Sequence, residues 1–370
     1  MKLKSYVTAV APFEAARDVD ILPKEHRSRR LHGHSFLAKA RTKLNGEDWA
    51  DFPGDEPNFL KQRLQDCVRV LDYRYLNDIV NTPTDENLAR YIIDRVIDIP
   101  GLDMVGVQST DDAGVDLDER NRAHVWRKFA FEAAHQLPNV PEGHQCGRMH
   151  GHSFEVILHA NQDIGRGDMA FDFDLLIKNW QSLHDLLHHK CLNDIKGLEN
   201  PTSEVIAAWI WDRLKPELPE LSWVTIYETV TAGCHYDGEN YRIWKESRFE
   251  SALRLVRAPE SDSRSQLHGH SFLTRLHLSA PLDEVFGWTI DYGDVKERFK
   301  RVYAQLDHHR LDSLTDLEDS DTLSLLHWMK SKLEVALPEL DRIDLYETSG
   351  CGAFLQWGEN GPALPAQHRQ

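Results

Sequence analysis

Residues 131–154, FEAAHQLPNVPEGHQCGRMHGHSF, decide how this 370-residue chain is read. The His-Gly-His-Ser-Phe at the end of the stretch begins at His150. It occurs twice more, from His32 and from His268, each 118 residues away. The Phe-Glu-Ala-Ala at Phe131 returns as Phe13-Glu14-Ala15-Ala16 and as Phe249-Glu250-Ser251-Ala252. Further on come LDYRYLND (71–78), LHHKCLND (187–194) and LDHHRLDS (306–313), then VQST (107–110), YETV (227–230) and YETS (346–349). Four landmarks in one order in each third imply a threefold tandem duplication, with modules at 1–119, 120–238 and 239–370. A period of this length is a small domain rather than a solenoid unit.

Within the middle module, HVWRKFAFEAAHQL (124–137) is rich in β-branched and aromatic residues, and Phe154, Val156 and Leu158 alternate, so both segments read as strands joined by a polar loop. Leu175, Leu176, Trp180, Leu183, Leu186 and Leu187 recur at helical spacing over 172–187. Thr202 is placed to cap a second helix, with Glu204 in its first turn, running to Leu214 before the prolines at 216 and 219. WVTIYET (223–229) and a short segment near Cys234 supply two more strands. The order strand, strand, helix, helix, strand, strand defines an α+β module. The tail from Gly358 reads as a frayed end.

Composition narrows the function. Sixty acidic against 43 basic residues give a net charge of −17, which argues against a nucleic-acid partner while leaving room for a local basic pocket. Ten tryptophans and 41% apolar residues exclude a disordered chain. No apolar run reaches the ~18 residues of a membrane span, and Tyr6, Thr8, Pro12 and Glu14 interrupt any secretory core at the start. Five scattered cysteines fit reduced thiols and a cytoplasmic location.

The chemistry concentrates in the middle module. His150 and His152, two apart on a strand, share a face, and Gly151 lets a backbone or ligand approach. His135 ends the neighbouring strand. Three imidazoles with an open fourth position suit a catalytic zinc site, and Cys146 stands four residues before His150, where a cation would favour its thiolate. A shift of 118 replaces His135 by Arg17 and Leu253, and Cys146 by Ser28 and Arg264. His32/His34 and His268/His270 are therefore read as vestigial or structural. The competing reading of all these imidazoles is satisfied core hydrogen bonding.

FEAAH, then Cys146 with three residues between it and HGHS, then an Asp-His dipeptide and an ET strand, together resemble the 6-pyruvoyl-tetrahydropterin synthase and 6-carboxytetrahydropterin synthase family along the whole chain. The resemblance implies three tandem T-fold (ββααββ) units closing a pseudo-threefold antiparallel β-barrel with helices on one face. Two barrels would stack, making a homodimer equivalent to a family hexamer. It implies Zn²⁺ on His135, His150 and His152, Cys146 as the proton-removing thiolate, and the pair Asp307-His308 as the second acid–base element. That pair is Asp72-Tyr73 and His188-His189 in the other modules, so the site would be shared between modules two and three; an ordinary turn and helix cap is the other reading. Glu228, or second Glu347, would anchor the pterin ring, with Gln108 at that place in module one. Strand-edge solvation is the alternative for Glu347. The implied substrate is 7,8-dihydroneopterin triphosphate, and Arg148 and Lys190 are candidates to meet its phosphates. Loss of triphosphate and side-chain cleavage would give 6-carboxytetrahydropterin, the queuosine-pathway branch, which the short Cys146–His150 gap resembles more closely. Pyruvoyl-branch activity and a non-catalytic pterin- or purine-binding protein are the alternatives. Cys191, Cys234 and Cys351 read as buried small hydrophobes.

Overall fold

The computed structural model describes residues 2–46, 49–165, 167–170 and 172–358; the tail expected to fray lies outside them beyond Gly358. The first repeat comprises β1 (Lys4–Arg17), β2 (His32–Leu44), α1 (Glu56–Val68), β3 (Arg74–Tyr75), α2 (Asp85–Val96), β4 (Leu102–Thr110) and β5 (Ala113–Asp118). The second follows as β6 (Arg122–His135), β7 (His150–Asp163), α3 (Phe173–Leu187), β8 (Lys190–Cys191), α4 (Ser203–Leu214), β9 (Leu221–Thr229) and β10 (Ala232–Tyr236). The third is β11 (Tyr241–Leu253), β12 (His268–Ser279), α5 (Tyr292–Leu306), β13 (His309–Arg310), α6 (Thr322–Leu333), β14 (Leu340–Thr348) and β15 (Cys351–Gln356).

In each repeat two long strands form a hairpin whose Phe-Glu-Ala and His-Gly-His ends face each other. Phe131 lies opposite Phe154 with the rings stacked at 4.9 Å, and Phe13–Phe36 and Phe249–Phe272 repeat the contact. Such cross-strand aromatic pairs fix register, because a slip of one residue would turn every side chain to the wrong face. The repeats join edge to edge, β5 on β6 and β10 on β11, and β15 closes on β1. Twelve long strands, antiparallel at every junction, thus form a closed barrel with no free edge.

Among the described residues, six α-helices pack against the strands. Thr84, Thr202 and Asp321 cap α2, α4 and α6 by accepting from main-chain N–H groups. On α3, Leu176, Trp180, Leu183 and Leu187 are buried, whereas Leu175 and Leu186, expected on that face, flank the stripe and are exposed. Alternate strand residues face away from the helices toward the barrel interior. Trp126, Ile157, Tyr227 and Trp244 cluster there, and Lys39–Asp116 and Arg342–Asp344 pair in full burial at 2.8 and 2.6 Å. Gly106 makes room for this pairing, since a β-carbon there would come within 1.9 Å of the Asp116 carboxylate. Among the described residues no helix is long and apolar enough to cross a membrane.

Candidate metal centre

The β6–β7 register sets His135 directly opposite His150, and His152 follows on the same face. Their ring centroids lie 4.5, 5.2 and 5.0 Å apart. Glu228 completes the group: its Oε1 is 3.9 Å from His135 Nε2 and 3.5 Å from His152 Nε2. One potential ligand atom from each of the four lies within 4.8 Å of the others. Second contacts set the tautomers. His135 Nδ1–H donates to the Pro201 carbonyl at 3.0 Å and His150 Nδ1–H to that of Arg148 at 2.7 Å, so Nε2 of each turns its lone pair inward. His135 Nε2 is buried without a hydrogen-bond partner. Burial holds the His135 imidazole down to about 4 and lowers His152 too, which keeps both neutral. An orphaned lone pair among neutral imidazoles and a carboxylate fits a divalent cation such as zinc.

A strand irregularity aims the carboxylate. Tyr227 pairs with Gly233 and Thr229 with Ala232, so Glu228 is the extra residue of a β-bulge, turned toward α4, where Ser203 Oγ donates to it at 3.0 Å. The three histidines were expected to leave a fourth position open; Glu228 faces it. A cavity of about 970 Å³ opens here, lined by Cys146, Arg148, His150, His152, Glu228 and Lys245 on one side and by Trp288, Asp291 and Tyr292 of the third repeat on the other. Cys146 lies on its wall but outside the converging ligand group. Burial, then Glu228 and Asp291, push its thiol up, so a thiolate here needs a nearby cation.

The protein-family signature described as 6-pyruvoyl tetrahydropterin synthase matches residues 6–119, 124–239 and 242–357. This chain belongs to that family. It is 41% identical over 119 residues to the 6-carboxy-5,6,7,8-tetrahydropterin synthase of Synechocystis, covering 30% of this chain and 91% of that protein. It is 33% identical over 98 residues to the dihydroneopterin monophosphate aldolase of Pyrococcus furiosus, covering 26% and 80%. The Caenorhabditis elegans 6-pyruvoyl tetrahydropterin synthase structure aligns with 32% of this chain and 96% of its own at 24% identity, TM-score 0.30.

Neither of the other two copies keeps the third imidazole, and each carries an ion-paired arginine at one of the places that His135 and Cys146 hold in repeat two. Arg17 lies opposite His32, as His135 lies opposite His150. It donates to the Pro83 carbonyl at 2.8 Å and pairs with Asp85 at 2.6 Å, with both side chains buried. Asp85 opens α2 as Ser203 opens α4. In the third repeat Leu253 takes the ligand position, and Arg264, at the Cys146 position, pairs with Asp262 and with Asp55 of the first repeat at 2.6 Å each. His32 and His268 still turn Nδ1 to a main-chain carbonyl two residues back. The His-Gly-His geometry therefore survives without its third imidazole.

The remaining sequence candidates lie outside the group formed by the three histidines and Glu228. Gln108 is not the counterpart of Glu228: it faces Leu37 as Tyr227 faces Glu155 and Tyr346 faces Leu273, so the bulged residue of repeat one is Ser109. Matching landmark to landmark slipped by one residue there. Glu347 does occupy the bulge of repeat three and accepts from Thr322 Oγ1, but it faces no third imidazole. Asp307 and His308 do not line the cavity: among the described residues its third-repeat wall is Trp288 to Gly293, and His308 lies in a separate depression with Glu250 and His270. Lys190 is also absent from the cavity wall.

The place of Asp307 has a structural cause. Its Oδ1 accepts from the Glu250 N–H at 3.0 Å, as Asp72 accepts from Glu14 and His188 Nδ1 from Glu132. An imidazole lone pair thus replaces the carboxylate in repeat two. The next residues, Tyr73, His189 and His308, adopt left-handed backbone at φ 53°, 56° and 58°, at a cost of roughly 1–2 kcal/mol each, and project outward. His308 is 78% exposed, with Nδ1 3.0 Å from Asp307 Oδ2. Sequence reading missed Lys245, Trp288, Tyr292, Ser203 and the buried Glu204, which takes the Thr289 N–H at 2.8 Å across the repeat boundary. Apart from Ser203 and Glu204, beside a recognisable helix cap, they fall between the repeated landmarks. Cys234 and Cys351 are buried as expected, Cys191 only partly.

Proposed function

We propose that the chain is a zinc-dependent enzyme of the 6-carboxytetrahydropterin synthase type, a lyase that converts 7,8-dihydroneopterin triphosphate with loss of triphosphate and side-chain cleavage. The observation carrying this reading is one cavity that holds converging imidazoles, a thiol and a carboxylate. Likeness to a relative named as a 6-carboxytetrahydropterin synthase supports the branch. His135, His150 and His152 would hold Zn²⁺ through Nε2. When bound, the cation would supply Lewis acidity toward substrate oxygens and favour the neighbouring thiolate.

The remaining work falls to side chains. Cys146 would take a proton from a side-chain carbon. Glu228, steadied by Ser203, would accept the pterin amino and ring N–H groups through its oxygens, with Glu347 the second choice. Arg148 and Lys245 would meet the triphosphate. His308, oriented by Asp307, would carry the second proton. Since both lie off their own chain's cavity, they would come from a second copy, in a homodimer equivalent to the family hexamer. On this reading the units are 1–119, 120–238 and 239–370, in pseudo-threefold array with helices on one face, working in the cytoplasm on the queuosine route.

The experiment is incubation of the zinc-loaded chain with 7,8-dihydroneopterin triphosphate and mass analysis of the pterin. The expected product is 6-carboxytetrahydropterin; a retained three-carbon side chain would put the chain in the pyruvoyl branch instead. Binding without turnover would favour a pterin-binding protein, a reading that the distance of Asp307 and His308 from the cavity supports.

A further inference from the structure

We infer that the barrel mouth at the start of β1 and β6 is a binding site for oligophosphate anions, separate from the metal cavity. The two cavities share no lining residue. Strand β6 runs from Arg122 at this mouth to His135 at the metal centre, a path of roughly 40 Å for its length.

The mouth encloses about 490 Å³ and carries six cations, Lys4, Arg41, Lys43, Arg120, Arg122 and Arg342, against three carboxylates. Two of the carboxylates are already engaged. Asp103 takes Arg41 through two hydrogen bonds at 2.9 and 3.0 Å, and Asp118 accepts from the main-chain N–H groups of Arg120 and Arg122 at 2.9 Å each. Arg342, on the floor, is held by Asp344. That leaves Lys4, Lys43, Arg120 and Arg122 without an ion pair among the described residues, facing one cavity. In a chain of net charge −17 such a convergence of free cations is a local reversal of the surface field. Water can solvate each separately, but a partly enclosed mouth concentrates their potential on whatever enters.

The spread of the four cations selects the ligand class. They come from β1, β2, the β5–β6 turn and β6, so a compact monovalent anion would meet one or two of them. A short chain of linked phosphates carries several charges and many acceptor oxygens, and can meet them together, by Arg forks and Lys point charges. The volume suits a triphosphate or the phosphate tail of a nucleotide, not a polymer. His124 and Trp223, also on the wall, are placed to pack against a base.

The test is calorimetric titration of the full chain with inorganic triphosphate at low salt, in wild type, Arg120→Ala/Arg122→Ala and Lys245→Ala. The inference expects a binding event that Lys245→Ala leaves in place and that the double variant weakens by about tenfold or more. Equal binding in the double variant and wild type would overturn it, as would loss of all binding in Lys245→Ala, which places the anion in the metal cavity. Lys43→Gln, a single change at a strand end, serves if the double variant misfolds, and its expected loss is smaller but of the same sign. ATP in place of triphosphate separates the sources: tighter binding identifies a nucleotide, equal binding the bare phosphate chain. The outcome is independent of whether the metal cavity turns over pterins.

Discussion

Replacing Arg17 tests the claim that repeat one exchanged its metal for an internal guanidinium. Arg17 and Asp85 meet at 2.6 Å with side-chain exposures of 8% and 2%. Arg17→Leu would strand the Asp85 carboxylate with Ser109 Oγ, at 2.8 Å, as its remaining side-chain partner, and would leave the Pro83 carbonyl without its donor. Breaking one side of a buried pair costs about 3–5 kcal/mol, because the surviving charge stays desolvated. The proper control is written in the chain itself: repeat three carries Leu253 and Thr322 at these two places. Arg17→Leu/Asp85→Thr removes both charges and should return to within about 1–2 kcal/mol of wild type. Urea denaturation followed by circular dichroism and tryptophan fluorescence reads both values from midpoint and slope. A single variant within about 1 kcal/mol of wild type, or a double variant no more stable than the single, would refute the reasoning.

Cys146→Ala should cut turnover by roughly 10²–10⁴-fold while leaving zinc content unchanged by metal analysis; equal loss of zinc would make the thiol a ligand. Mixing Cys146→Ala with His308→Ala chains after separate unfolding should restore about a quarter of wild-type activity, since half the dimers are mixed and each holds one complete site. No recovery above the separate variants would reject a site shared between chains. The Glu86 carboxyl, buried and accepting from the Ala170 N–H at 2.7 Å, is pushed by burial from 4.5 up to about 7. Between those values the folded chain keeps a proton that the unfolded chain has lost, so stability falls as pH rises from about 4.5 to about 7 and then levels. Glu86→Gln should flatten that fall, by up to roughly 3 kcal/mol at pH 8, in denaturation curves taken across the range; an unchanged slope would show the carboxyl ionised at its ordinary pH.

Much of the fold could be read because the chain states it three times. The hairpin of Phe131 and Phe154 carries its register in the spacing of its own landmarks, and the antiparallel face of His135, His150 and His152 follows from alternation alone. What stayed hidden depends on contacts between repeats or on a one-residue irregularity. The bulge at Glu228 has no sequence signal, and nothing in the landmarks marks Ser109 rather than Gln108 as its counterpart in repeat one. Trp288, Asp291 and Tyr292 reach the site from the next repeat, across a boundary that no landmark spans. Arg17 and Arg264 were legible as losses of ligand and thiol, but not as cations that take over the vacated places. The hydrogen bond from the Glu250 N–H to Asp307, which no landmark signals, holds that residue off its own chain's cavity.

The central claim is a single metal centre per chain, with Arg17 and Leu253 in place of the third imidazole in the other two copies. Metal analysis of the full chain after zinc loading and removal of free metal tests it most directly, alongside His135→Ala, His34→Ala and His270→Ala. The account predicts about one zinc per chain, lost in His135→Ala and retained in the other two variants. Three zincs per chain, or one that survives His135→Ala, would contradict it.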